Sequence, residues 1–348
     1  MTENSRPKTF KIVSKLGDQL KDTCVTLEND TEDVDVDTLL DDIEDYLQGS
    51  VASQNSGQLA VLPPVIKFNK NWTLSVTDLS CQLWCEKQVE YTLITGRKRV
   101  TEEMESGTKR HEELELQDHE IMEVQIETHE DNLGIRLLNS VILLEQLLET
   151  GKCRELWLFG TFGNYTFCGI IDQLTIVEDK ATKEKSVVIS DTKTRRCKKE
   201  PSISQMQGSS LQVQLYCTML EETKNGKIEF NKLHETFKCD RFTEFSAPEL
   251  KPEGCLDALE KKYLKAFKRL PRISKTMEIS YEHEGSVFST SNVDLKKETL
   301  LFTVNYLCDF WDGLRDAEPV KKSEMWKCKM CEFKDECTVS PLKLDTED

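Results

Sequence analysis

Long apolar stretches are missing from this 348-residue chain. Its most hydrophobic segment, LLNSVILLEQLLE at residues 137–149, is interrupted by Asn139, Glu145 and Gln146, and has helical rather than membrane-spanning character. No transmembrane segment and no membrane association are expected. The start of the chain lacks the apolar core of a secretory signal, so the 13 cysteines are expected as thiols or metal ligands in a reducing compartment rather than as disulfides. No internal repeat is visible. Bases are absent from residues 28–45, where ten acids fall in ENDTEDVDVDTLLDDIED; without that run the net charge of −17 shrinks to −7. The acidity therefore does not exclude a nucleic-acid partner. Basic patches exist elsewhere, in GRKR (Arg97, Lys98, Arg99) and in TKTRRCKKE (Lys193, Arg195, Arg196, Lys198, Lys199).

A hydrophobic content of 38% over this length suits an ordinary soluble protein with one large core or two modest ones. Residues 1–57, polar and ending in GSVASQNSGQ, read as an acidic, disordered tail, and residues 58–348 as a single folded domain. The apolar residues within the acidic run leave open a short amphipathic helix formed on a partner. From Ser75 onward SVTDLSCQLWCEKQVEYTLI has a capping residue and helical spacing, predicting one helix that carries Cys85. TEEMESGTKRHEELELQ predicts a second helix, and DNLGIRLLNSVILLEQLLETG a third that stops at Gly151. The period then changes. KCRELWLFGTF, NYTFCGIIDQLTIV and KSVVISDTKT predict strands, with EDKATKE as a hairpin connection. SLQVQLYCTMLEET, GCLDALEKKYLKAFKRL and KETLLFTVNYLCDFWDGLRDA return to helical spacing. Helices around about three strands indicate an α/β or α+β layered fold.

The chemistry concentrates in GIIDQLTIVEDKATKEKSVVISDTKTRR. Asp172 and Asp191 fall on two strands joined by a hairpin, where cross-strand neighbours lie about 5 Å apart, close enough to share one hard divalent cation. Lys193, two residues after Asp191, lies on the same strand face. Two acids and a lysine suit metal-assisted phosphodiester hydrolysis, which needs an activated water and a cation near the scissile phosphate; a solvated hairpin has the same composition. His111 sits four residues after Gly107 in a predicted helix, and Gln212 and Tyr216 share a helix face at i and i+4. Near the C-terminus CKMCEFKDEC supplies Cys328, Cys331 and Cys337 with no fourth cysteine beside them; Cys308 lies about twenty residues earlier, within a predicted helix. Zinc and iron-sulfur clusters both accept thiolates, and spacing alone does not separate them.

The ordered set LWCEKQVEY, GTKRHEE, GIID, DTKTRR, QVQLY and CKMCEFKDEC resembles the RecB-like branch of the PD-(D/E)xK nucleases, and within it the iron-sulfur exonuclease V (defects in morphology) family, over residues 72–340. The resemblance implies a restriction-endonuclease-like α/β core, a mixed β-sheet flanked by helices, closed by a four-cysteine iron-sulfur site. It implies Mg²⁺ or Mn²⁺ on His111, Asp172 and Asp191, with Lys193 assisting the attacking water. Arg195 and Arg196 would contact DNA phosphates, and Gln212 and Tyr216 would seat the strand. The fourth ligand of a [4Fe-4S] cluster would be Cys85, with Cys81 as the local rival. One departure is that Asp191 stands where glutamate is usual, which bears on metal geometry or rate. The activity implied is metal-dependent hydrolysis of single-stranded DNA from an end, in DNA repair, with an RPA-like single-strand-binding protein as partner and the chain acting as a monomer. The competing readings are a zinc-stabilised non-catalytic nucleic-acid-binding scaffold and a RecB-like endonuclease on flaps or RNA. Nucleus and cytosol are the expected locations; four bases and one acid in the first sixteen residues leave the mitochondrion open. The residues do not indicate the direction of digestion. Closure of Cys85 onto Cys328 would tie off 242 intervening residues, giving the cluster a structural role as a clasp.

Overall fold

The structure is a computed structural model and describes residues 8–15, 62–97 and 102–344. The acidic run at 28–45, Lys98 and Arg99 lie outside the described residues; of the segment 1–57 only Lys8–Lys15 is described, and it is a strand. The described residues fall into two compact units, one built from 8–15 and 102–296, the other from 62–97 and 297–344. No helix among them is long and apolar enough to cross a membrane.

In the first unit, strand β1 (Lys8–Lys15) is followed by helix α1 (Glu102–Asp118) and strand β2 (His119–Ile126). β1 and β2 pair antiparallel from Lys8 opposite Ile126 to Lys15 opposite His119. Helix α2 (His129–Thr150) starts at Thr128, whose side chain accepts from the Asp131 N–H, and ends at Gly151 with φ +84°, where the sequence placed its stop. Thirteen of its residues are buried, Leu133, Leu137, Leu144 and Leu147 among them. At about 1.5–3 kcal/mol for each fully buried leucine, this helix anchors the unit's core.

The sheet follows. Strands β3 (Lys152–Phe162), β4 (Tyr165–Glu178) and β5 (Lys185–Thr194) coincide with the three strands expected from the sequence. β3 pairs antiparallel with β4, and β4 with β5. The β4–β5 turn is held by Asp179, whose carboxylate accepts from the N–H groups of Ala181 and Thr182 at 2.8 and 2.7 Å. Helices α3 (Ile203–Lys224), α4 (Phe230–Phe237) and α5 (Leu256–Lys268) form a crossover from β5. The chain then returns as β6 (Arg272–Ile273) and β7 (Thr276–His283), both parallel to β5, and β7 turns into the antiparallel edge strand β8 (Ser286–Asp294). The result is a mixed sheet flanked by helices: α2 packs on β3 and α5, α3 on β3, β5 and β7, and α1 on β3 and β5.

In the second unit the sequence expectation of one continuous helix from Ser75 needs correction. A helix at Val76–Gln82, opened by a capping box between Ser75 and Asp78, stops and restarts as Glu86–Thr95, with Cys85 extended at φ −169° as the new cap. Buried Glu86 holds this break. It pairs with Arg315 at 2.5 and 2.6 Å, takes the Glu318 N–H at 2.9 Å and the Gln82 side-chain amide at 3.1 Å. The helix Lys297–Trp311 packs through Leu300, Val304, Leu307 and Trp311, and the Trp311 indole donates to Gln82.

Candidate functional site

The register of the sheet places the two acids. The β4–β5 ladder runs from Glu178 opposite Lys185 to Gln173 opposite Ser190 and stops there, so Asp172 and Asp191 occupy the next row, where backbone pairing has ended. The Thr192 N–H donates to Asp172 Oδ2 at 2.9 Å, so a side chain takes the place of a strand carbonyl. On its other edge β5 pairs with β7, with Asp191 beside Ile279 and Lys193 beside Tyr281. Lys193 Nζ donates to Asp191 Oδ1 at 2.9 Å, as the alternation of strand side chains requires.

Helix α1 delivers His111 from the other side. Its Nε2 lies 3.7 Å from Asp172 Oδ2 and its Nδ1 3.1 Å from Glu155 Oε1. The residues expected to share a cation, His111, Asp172 and Asp191, are thus brought together around Lys193. Tyr216 reaches the same place from α3. An ideal Cβ at Gly169 would sit 2.6 Å from Tyr216 Cε1 and 2.9 Å from its hydroxyl, so the glycine of GIID is what lets the ring lie against β4. Gln212, one turn earlier on α3, is half-buried. Arg195 and Arg196 follow the end of β5. Arg195 is fixed by its backbone, the N–H donating to Glu282 O at 2.7 Å and the carbonyl meeting His283 Nδ1 at 3.0 Å; Arg196 is exposed.

Electrostatics follow from this crowding. Burial pushes the Asp191 carboxyl up to about 7, helped by the Asp172 charge and opposed by Lys193. Its Oδ2 is buried and, among the described residues, makes no hydrogen bond. The hydrogen bond donated to the Glu155 carboxylate raises His111 to about 9 against the opposing effect of burial, with the Asp172 charge contributing. Burial disfavours the Lys193 ammonium, yet Asp191 and Asp172 outweigh it and the group is held above its ordinary value. Lys193 therefore carries its proton at neutral pH, which suits it to orienting water and stabilising negative charge rather than abstracting a proton.

Two neighbours escaped the sequence reading. Glu155 is a lone acid within the apolar strand pattern of KCRELWLFGTF, and that interruption was the available signal. Tyr281, buried beside Lys193, was missed because β7, weak in apolar content, was not read as a strand.

The cysteines gather in the second unit. Cys85, Cys328, Cys331 and Cys337 line one recess together with Trp84, Tyr91 and Phe333, whereas Cys81 is exposed and does not line it. Cys85 caps the start of the helix Glu86–Thr95; burial, then the neighbouring Cys328 and Cys337, push its thiol up. Burial, with Cys85 and Cys328 nearby, takes Cys331 to about 11. Such mutual destabilisation of clustered thiolates is what a bound cationic centre relieves. Among the described residues no group of three His, Cys, Asp or Glu is drawn tightly enough to form a preformed metal-ion site. The donor chemistry nevertheless fits both groups: four thiols in an apolar recess for a cluster, and an orphaned carboxylate oxygen beside a second acid and an imidazole for a hard divalent cation.

Comparison with known proteins extends this reading. A family model described as exonuclease V, a 5′ deoxyribonuclease, matches residues 64–187, 176–253 and 247–339. The exonuclease V of Danio rerio is 26% identical over 302 residues, spanning 79% of this chain and 72% of its own length. The crystal structure of SSO0001 aligns with 88% of this chain and 97% of its own at 15% identity, with a TM-score of 0.34 that carries no argument. Because the family match runs through both units and takes in the residues of the acidic site and all four cysteines of the recess, the chain belongs to the exonuclease V family of nucleases.

Proposed function

We propose that this nuclease is a metal-dependent exonuclease acting on single-stranded DNA from the 5′ end. The observation that carries the reading is the row where the β4–β5 ladder stops, with Asp172, Asp191 and Lys193 converging there and the buried Asp191 Oδ2 making no hydrogen bond among the described residues. His111, Asp172 and Asp191 would hold Mg²⁺ or Mn²⁺, which supplies Lewis-acid activation of water and neutralises charge on the phosphate. Lys193, kept protonated by the two acids, orients the water and faces the developing negative charge. The Asp172–Thr192 hydrogen bond fixes the first acid, so the donors are arranged before substrate arrives. Arg195 and Arg196, directly beyond β5, are suited to the phosphates of the flanking nucleotides, and Gln212 with Tyr216 to seating the strand.

The 5′ direction is taken from the family description, and the preference for a single strand from the resemblance of the motifs. The same resemblance supports a role in DNA repair in the nucleus and cytosol, an RPA-like single-strand-binding protein as partner and a monomeric enzyme. The four-cysteine recess is proposed to hold a [4Fe-4S] cluster with a structural role, closing the second unit from both flanks of the sequence. Outside strand β1, residues 1–57 are proposed as an acidic tail to the nuclease.

The test is purification without oxygen, followed by digestion of single strands labelled separately at each end. Mg²⁺-dependent release from the 5′ end, abolished by Asp172→Ala, is expected from a brown protein with broad visible absorption. Equal digestion by wild type and Asp172→Ala would overturn the catalytic assignment; a colourless, zinc-containing protein would overturn the cluster.

A further inference from the structure

A residue outside the proposed cation-binding set is built into the sheet with unusual backbone geometry. Glu155 lies in β3 at φ +53°, in the left-handed region that a non-glycine residue adopts at a cost of about 1–3 kcal/mol. The rows on either side of it, Arg154 opposite Gln173 and Leu156 opposite Ile171, are regularly paired, so the distortion is confined to one residue and the strand resumes at once. The row it occupies faces Asp172. Its side chain is largely buried, and the carboxylate meets His111 Nδ1 at 3.1 Å, while the other ring nitrogen, Nε2, faces Asp172.

An imidazole can present a lone pair to a cation from one nitrogen while the other carries a proton, and a carboxylate on that second nitrogen decides which is which. Glu155 has the geometry for this: it accepts from Nδ1–H and leaves Nε2 on the side of the acids. We infer that Glu155 is a positioning residue for the divalent cation, fixing the tautomer and ring orientation of His111 through Nδ1 so that Nε2 joins Asp172 and Asp191. This rests on the proposed cation site and adds a partner that touches neither the cation nor DNA. It also gives a role to the positive-φ glutamate in this row.

That conformation makes the role separable from folding. Glu155→Gly removes the acceptor while tolerating the positive φ, so it lowers cation affinity without lowering stability; Glu155→Gln keeps an acceptor oxygen and retains part of the affinity. The experiment uses the full-length, cluster-loaded protein, with Mn²⁺ alone as the probe, followed by electron paramagnetic resonance of the free ion. In parallel, ¹⁵N-histidine spectra of the cation-free protein, recorded at a pH above the raised His111 value of about 9 so that the ring is neutral, report the His111 tautomer, assigned among five histidines by a His111→Gln control. Expected are a 10–100-fold weaker Mn²⁺ affinity for Glu155→Gly, a smaller loss for Glu155→Gln, loss of the fixed Nδ1–H form in the glycine variant, and a melting temperature no lower than that of wild type. If Asp172→Asn abolishes binding but Glu155→Gly stays within twofold of wild type with the tautomer unchanged, the positioning role is overturned and the cation site stands. If Asp172→Asn binds Mn²⁺ as wild type does, the cation site falls and the inference with it.

Discussion

The contact between Gly169 and Tyr216 allows a quantitative test of how the acidic site is shaped. In Gly169→Ala the new Cβ would lie 2.6 Å from one ring carbon and 2.9 Å from the hydroxyl, against an ordinary contact of 3.4–4 Å. Relief therefore demands a shift of roughly 1 Å, taken up by a side chain that is only 5% exposed and by the strand beneath it. Overpacking of this kind costs about 1–3 kcal/mol. At about 2–4 °C per kcal/mol for a unit of this size, melting followed by circular dichroism should fall by about 2–12 °C. Activity should suffer more than stability, because a 1 Å displacement of a site residue costs about 100-fold in rate. The cause is isolated by a double-mutant cycle with Tyr216→Leu, in which the added methyl meets a smaller, flexible side chain and the stability cost largely vanishes. An alanine at this position that leaves stability and digestion rate unchanged, or that costs as much without the ring as with it, would refute the close-packing argument.

Lys193→Met removes a protonated group from the acidic site and is expected to lower the single-strand digestion rate by about 100–1,000-fold while leaving DNA binding in the absence of divalent cation within a few-fold, read by fluorescence anisotropy. Cys85→Ser should bleach the visible absorption and destabilise the protein, whereas Cys81→Ser, whose residue is exposed and outside the recess, should retain both. Asp118 supplies a pH dependence. Burial would raise its carboxyl, but Lys152 and Arg154, each at 2.8 Å, hold it below the ordinary value. A depressed folded-state value means stability that is full above the ordinary carboxylate range and is lost as pH falls through the lowered one. Urea midpoints measured from pH 6 down to pH 3 should fall more steeply for wild type than for Asp118→Asn, the difference amounting to no more than about 1 kcal/mol because the group is partly exposed.

Much of this architecture could be read in advance because its causes are local. The three central strands, the hairpin at Asp179 and the stop at Gly151 depend on periodicity and turn chemistry within a few residues of each element. The break at Cys85 could not be seen that way. Nothing between Gln82 and Glu86 is a helix breaker, and what interrupts the helix is the demand of buried Glu86 and Gln82 for Arg315, Glu318 and Trp311, all more than 220 residues away. The pairing of β1 with β2 is non-local in the same sense. The strands β7 and β8 differ from these: Met277, Ile279 and Tyr281 alternate inward, and Glu284–Gly285, both with positive φ, form the turn, so the signal was present but weak in apolar content.

The acidic site combines both kinds of information. Residue type and spacing nominated Asp172, Asp191 and Lys193, because alternation along β5 puts the last two on one face whatever the strand pairs with. What converts them into a site is the end of β4 pairing along β5. From Lys185 to Ser190 the strand is paired with β4 on one edge, and from Ser190 to Thr194 with β7 on the opposite edge, so beyond Ser190 only the β7 edge stays paired. Beyond it β4 is released, the Thr192 N–H loses a carbonyl to bond to, and Asp172 supplies the acceptor instead. A ladder continued for one more row would bond that N–H to backbone and leave Asp172 an ordinary edge acid. The early end of pairing is therefore the structural step that brings two carboxylates, an imidazole and an ammonium together. The opposite edge of β5 at this row is completed by β7, which arrives some eighty residues later and which no local pattern around Asp191 could announce.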